Sequence, residues 1–197
     1  MKRFVSILSL WLALVPLVAA DKPDPHAKAI ASLIDPEKLA SLKERGANPR
    51  IQKYVAQLAL VKQEGGDPAK VTAEAVKLVG MKGDAAKLTT EAMLRNLHIA
   101  DSLGCLDAAG IADMRQGEAA TVKSGPYKDD QLSVDHIIPR KVAPELDNTI
   151  ANLELLPFKL NAKKSASIGD RQRSLAKKLR KAGLLSEQGL KDVLARR

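Results

Sequence analysis

The chain changes its apolar period once, near Gly117, and that change limits the folds open to it. Before Gly117, apolar residues recur every three or four positions. TTEAMLRNLHIADSLG puts Met93, Leu94, Leu97, Ala100 and Leu103 on one stripe, and NPRIQKYVAQLALVKQEGG does the same with Ile51, Val55, Leu58 and Val61. Turn signals separate these runs. Pro36 opens PEKLASLKERG and Gly46 closes it; Asp67-Pro68 opens DPAKVTAEAVKLVG; CLDAAGIADMRQG stops at Gly117. After Gly117 the texture shortens. EAATVKSGPYKDDQLSVDHII reads as strands over 119–123 and 131–135 about a Gly125-Pro126 turn, and NLELLP reads as a third strand. A helix then starts near Phe158. A basic helix follows over about 170–182, stopped by Gly183, and a last one is capped by Ser186. The pattern predicts a mainly helical α+β chain, with a helical region over 36–116 and a strand-then-helix region over 117–197. There is no internal repeat.

The ends and the cysteine count set the compartment. Residues 1–20 have Lys2-Arg3, an apolar core from Phe4 and small residues at Val18-Ala19-Ala20, the make-up of a secretory signal peptide. Export to the periplasm or medium is therefore expected, with no stable membrane insertion after cleavage. The polar, Pro-rich start of residues 21–35 predicts a mobile leader. The single cysteine, Cys105, excludes an intramolecular disulfide and a Cys-based zinc ribbon, and its apolar setting predicts a core position.

Charge divides the chain as the texture does. Residues 21–122 carry 14 Lys and Arg against 14 Asp and Glu, whereas residues 123–197 carry 16 against 9. A basic half suits an anionic polymer or surface. Only Tyr54, Tyr127 and Phe158 are aromatic beyond residue 20, too few for a membrane belt or a base-stacking platform. Contact with backbone phosphates fits better and carries little sequence preference. Nucleic acid is the expected partner, and a protein partner stays open. Arg171, Arg173, Lys177 and Lys178, on the basic helix RQRSLAKKLRK, are the residues expected to grip it, with Lys163 just upstream.

The polar residues that interrupt the apolar pattern after Gly117 are Asp135, His136, Asn148, Asn152, Asn161, Lys164 and Ser165. Carboxylate and amide oxygens suit Mg²⁺ or Mn²⁺, hard ions that accept phosphate oxygens as further ligands. A neutral histidine can take a proton from water near pH 7. Each residue also has an ordinary use, Asp135-His136 as a strand end and the asparagines as turn residues. His98, between Leu97 and Ile99, reads as structural or exposed, and His26, in the mobile leader, is discounted.

The runs D135-H136-I-I-P, N152-L-E-L-L-P and N161-A-K-K-S together resemble the HNH (ββα-metal) endonucleases, in the variant where Asn replaces the final His. The step from Asn152 to Asn161 and the following Lys164-Ser165 look like the HNH domain of the RNA-guided CRISPR nucleases. GPYKDDQLSVDHIIPR looks like the entry to small stand-alone members. The resemblance covers about residues 119–166. It implies a C-terminal ββα-metal core with trailing basic helices and hydrolysis of DNA, ahead of RNA, by one divalent metal. His136 would be the general base, and Asp135 and Asn161 the metal ligands. Asn152 would brace the loop that carries His136. Lys164 would stabilise charge at the scissile phosphate and Arg140 would position a neighbouring phosphate. Two departures stand out. No second histidine lies in the motif, which favours Mg²⁺ or Mn²⁺, and the bracing zinc ribbons of some members are absent. The N-terminal helices are expected to replace them as stabilising mass. The alternative is an exported, basic nucleic-acid-binding protein whose ββα fold has lost catalysis.

Overall fold

A computed structural model describes residues 22–164 and 166–196; the expected signal peptide, 1–20, and Ser165 lie outside the described residues. The chain is mainly helical with a small two-stranded antiparallel sheet. Helices α1 (Pro25–Ile34), α2 (Pro36–Ala40), α3 (Asn48–Gln63), α4 (Pro68–Leu78), α5 (Gly83–Ser102) and α6 (Ala108–Gln116) come first. Strands β1 (Leu132–His136) and β2 (Leu153–Pro157) follow, then α7 (Phe158–Lys163), α8 (Asp170–Lys181) and α9 (Glu187–Ala195).

Two expectations are corrected in the N-terminal part. Residues 25–34, read as part of a mobile leader, form a packed helix. The Asp24 carboxylate caps it by accepting from His26 N (2.7 Å) and Ala27 N (3.2 Å), and Ala27, Ile30 and Ile34 are fully buried on one stripe. Of the two prolines that suggested a tail, Pro25 is the first residue of α1, behind the Asp24 cap. The helix expected over 36–46 stops at Ala40, and the rest is a loop in which Arg45 takes a left-handed φ of 55°.

Local signals elsewhere place the elements where they fall. Asp67 accepts from Ala69 N at 2.9 Å, and Ser186 Oγ from Gly189 N at 2.9 Å. Gly117, at φ 86°, ends α6 by donating to Met114 O at 2.9 Å, a conformation disfavoured for any residue with a Cβ. The first expected strand differs. Residues 119–123 contribute only a bridge, Thr121 to Gln131, because the turn between them is wide and holds Asp129 at φ 68°. The paired strands are the second and third expected ones, with Asp135 opposite Glu154 and His136 opposite Leu153. The local order is therefore β1, a loop over 137–152, β2, then α7 across both strands.

The boundary near Gly117 separates local textures and not cores. The larger core runs from α1 to α6 and takes in Leu132, Leu153 and Leu155 of the sheet. A smaller core gathers Ile138, Val142, Leu146 and Ala151 with Ala176, Leu179 and Val193 of α8 and α9. Polar residues of the helices stitch the sheet on. Buried Asn96 of α5 accepts from Leu155 N (2.9 Å) and donates to Leu153 O (3.2 Å) and Tyr54 Oη (2.6 Å). It thereby pairs the free edge of β2, which would otherwise bury unsatisfied backbone groups. Burial pushes up the Tyr54 hydroxyl pKa, against the Asn96 hydrogen bond. Cys105 is buried, as expected, and desolvation pushes its thiol up to about 11. No helix among the described residues is long and apolar enough to cross a membrane.

Candidate active site

β1 delivers Asp135 and His136 to the mouth of an open cleft of about 280 Å³. Arg45, Arg140, Lys141 and Lys164 also line it, so its charge is strongly positive. The backbone just past His136 is fixed by one residue. Asn152, wholly buried, accepts from Ile138 N through Oδ1 (2.8 Å) and donates from Nδ2 to Ile138 O (3.1 Å). Its own carbonyl accepts from Ile137 N at 2.8 Å. Three hydrogen bonds thus tie the strand end to the start of β2, and Asn152 does not reach the cleft itself.

The His136 ring is fixed from the other side. Its Nε2 lies 2.9 Å from both Asp147 O and Asp147 Oδ1. Both partners are acceptors, so Nε2 carries a hydrogen and donates it. In the neutral ring the lone pair is therefore on Nδ1. This is the tautomer that can take a proton at Nδ1. Asp147 is held in turn by the N-terminal helical region, accepting from Arg45 N through Oδ2 at 3.0 Å. Asn148 beside it accepts from Ala47 N (3.0 Å) and donates to Lys43 O (3.2 Å).

Asp135 faces a charged cluster that bridges the sheet. Its carboxylate pairs with the Lys164 ammonium, which also lies 3.3 Å from His136 O and 3.9 Å from Glu154 Oε1. Glu154 is 3% exposed and takes both terminal nitrogens of Arg171, one at 2.9 Å. That pairing raises the Arg171 pKa above its ordinary value, against burial. Arg95 of α5 donates to Leu153 O at 3.2 Å, and burial lowers its pKa despite the nearby Glu154 charge. Two buried acids on neighbouring strands are thus balanced by cations from three helical segments, as buried charge requires.

Asp135 and Asn161, the residues expected to hold a divalent ion, carry the hard oxygen donors that such an ion takes. Asp135 Oδ2, His136 O and Glu154 Oε1 already converge on one cation, the Lys164 ammonium. Asn161, on α7, spends its Nδ2 on Ser133 Oγ (3.0 Å) and Val134 O (3.4 Å), which leaves Oδ1 as its acceptor. Among the described residues no group of three or more His, Cys, Asp and Glu side chains is arranged as a cage. An oxygen set of this size suits an ion that completes its shell with water and phosphate. Asn161 does not line the cleft, whereas Asp135, His136 and Lys164 do.

The expected phosphate-gripping residues divide into committed and open ones. Arg140 lines the cleft but pairs with Glu44. Arg171 is bound to Glu154. Arg173 donates to Leu194 O at 2.7 Å and to Arg196 O, and so caps α9. Lys163, Lys177 and Lys178 are exposed, and none of the three forms an ion pair among the described residues. On α8, Arg180 also pairs with Glu187 and Lys181 with Asp84, each at 2.9 Å. The helix is thus less a bare cationic rod than its sequence suggests. His98 is exposed. His26 is anchored to Gln57 Oε1 (2.9 Å) and Glu64 Oε2 (3.1 Å).

Sequence reasoning missed Asp147, Glu154 and Arg45. Glu154 had a signal, an acid at an inward position of the apolar strand NLELLP. Asp147 and Arg45 had none, since their contact spans 102 positions. No protein-family model, curated protein or solved structure matches the chain.

Proposed function

We propose that the chain is an exported, metal-dependent endonuclease of the HNH type that hydrolyses phosphodiester bonds of DNA with little sequence preference. The observation that carries the reading is the His136 ring, held through Nε2 by two acceptors of Asp147 beside the Asp135 carboxylate in a cationic cleft. The motif resemblance over residues 119–166 and the order β1, β2, α7 support it as a ββα-metal core. In this reading Nδ1 of His136 takes the proton of the attacking water. Asn152 keeps the strand end in place, and the Asp147 contacts hold the ring's tautomer. One divalent ion, Mg²⁺ or Mn²⁺, would be held by Asp135 and Asn161 and would supply Lewis-acid polarisation of the phosphate. Lys164 gives up its pairing with Asp135 and stabilises charge on the phosphate oxygens. Lys163, Lys177 and Lys178 contact backbone phosphates outside the cleft.

One observation favours the alternative of a basic nucleic-acid-binding protein without catalysis: the Lys164 ammonium sits on the Asp135 carboxylate that the metal would need. Plasmid cleavage by residues 21–197 with Mg²⁺, Mn²⁺ or EDTA separates the two readings. The nuclease predicts nicked or linear product only with metal, lost in His136→Ala while DNA binding survives. DNA binding with no cleavage in any metal would establish the alternative.

A further inference from the structure

We propose that Arg45, from the loop between α2 and α3, is a substrate-binding residue whose guanidinium grips a backbone phosphate of the strand lying in the His136 cleft; this rests on the nucleic-acid-cleaving reading above. The helical region would then complete the site as well as stabilise it.

The backbone of Arg45 is the first observation. Its φ of 55° lies in the left-handed region, where only Asp129 joins it among described residues other than glycine. A long, branched-headed side chain has no steric reason to be there, and strain of this kind gathers at functional positions. The next residue makes the turn tight: a Cβ on Gly46 would lie 2.8 Å from Leu42 Cβ and 2.9 Å from Lys43 O. The loop holds this shape by a two-way clasp to the corner that orients His136. Arg45 N donates to Asp147 Oδ2, Ala47 N donates to Asn148 Oδ1, and Asn148 Nδ2 donates back to Lys43 O.

Charge is the second observation. Arg140 and Lys164, the cleft cations expected from sequence, are paired with Glu44 and Asp135. Arg45 lines the same cleft, and its guanidinium makes no hydrogen bond or ion pair among the described residues. Lys141 is the other uncommitted cation there, but it has an ordinary backbone and a single point charge. A guanidinium can take two phosphate oxygens at once, and its root is fixed through Asp147 to the ring that handles the proton. The ligand is therefore a phosphodiester group next to the one cleaved.

The strain makes the test discriminating. Arg45→Gly removes the guanidinium and relaxes the backbone, so binding and stability should move in opposite directions. Residues 21–197 and the variants Arg45→Gly and Arg45→Lys would be titrated with a short fluorescent DNA duplex in EDTA over a salt series, beside thermal melts. For Arg45→Gly the expected results are affinity about 5- to 10-fold weaker near 0.1 M salt, a salt slope smaller by about one, and a Tm higher by about 2 °C. Arg45→Lys should restore most of the slope and none of the Tm gain. Unchanged affinity and slope in Arg45→Gly would overturn the proposal and leave the nuclease reading standing. Weaker binding with a lower Tm would also overturn it, since the loop would then need the arginine for folding. A parent chain that binds neither duplex nor single strand would remove the nucleic-acid reading and this proposal with it.

Discussion

Asn152→Ala tests the idea that one buried amide holds the strand end in place for catalysis. The substitution removes the acceptor of Ile138 N (2.8 Å) and the donor to Ile138 O (3.1 Å), and Ile138 is fully buried. No other hydrogen bond reaches either Ile138 group among the described residues, and alanine leaves no polar atom to replace the amide. Each buried group left unpaired costs about 1–3 kcal/mol, so the pair gives about 2–6 kcal/mol. For a chain of this size each kcal/mol lowers Tm by about 2–4 °C, which puts the expected drop near 10 °C. Asn152→Asp keeps an acceptor for Ile138 N but sets a carboxylate oxygen against Ile138 O. Its deficit should exceed that of alanine at pH 7. The folded state raises that carboxyl's pKa, so the deficit should shrink as pH falls and the group protonates. The assay is thermal melting by circular dichroism at pH 7 and pH 4.5, with plasmid cleavage measured well below the variant Tm. Cleavage should fall at least 10-fold even where the variant is folded, although Asn152 touches no substrate. A loss below about 1 kcal/mol with full cleavage would show that Ile137 and Ile138 hold themselves in place, and would refute the bracing role.

Two further outcomes follow from the packing and the charges. Residues 117–197 alone should show no cooperative melt and no cleavage, because Leu132, Leu153 and Leu155 belong to the core shared with α1–α6; three such side chains are worth about 5–9 kcal/mol of burial, comparable to the whole stability of a domain. A folded, active fragment would contradict the shared core. Burial opposes the charge on His26, but hydrogen bonds to Gln57 and Glu64 raise its pKa above 6.5 overall. Its stabilisation is therefore fully present below about pH 6.5 and is lost as pH rises through the folded-state value; His26→Gln should remove that slope from a melt series over pH 5–8, and an identical slope in the variant would count against the contact.

Local signals made much of the fold legible. Asp67, Gly117, Gly183 and Ser186 mark helix ends because a cap is decided by a few neighbouring residues. The failures share the opposite cause. α1 was hidden because Pro-Asp-Pro reads as tail, while its burial depends on α3 and α4 lying against it. The strand at 119–123 shrank to a bridge because alternation over five residues cannot force pairing across a wide turn. In the site, Asp135, His136 and Asn152 stood out as polar breaks in apolar runs. Asp147 and Arg45 did not, because their contact exists only once the 41–47 loop docks on the 147–148 corner. The basic helix was over-read for the same reason, since Glu154, Asp84 and Glu187, which pair with it, come from other elements.

Chemical rescue of His136→Gly tests the proposed role of His136 as the base. Glycine leaves a space the size of the lost ring beside Asp147. The variant should show negligible plasmid cleavage in Mg²⁺, restored by added imidazole in proportion to its free-base form, with DNA affinity unchanged. A folded variant that cleaves as fast as the parent without imidazole, or stays inactive at every imidazole concentration and pH, would contradict it.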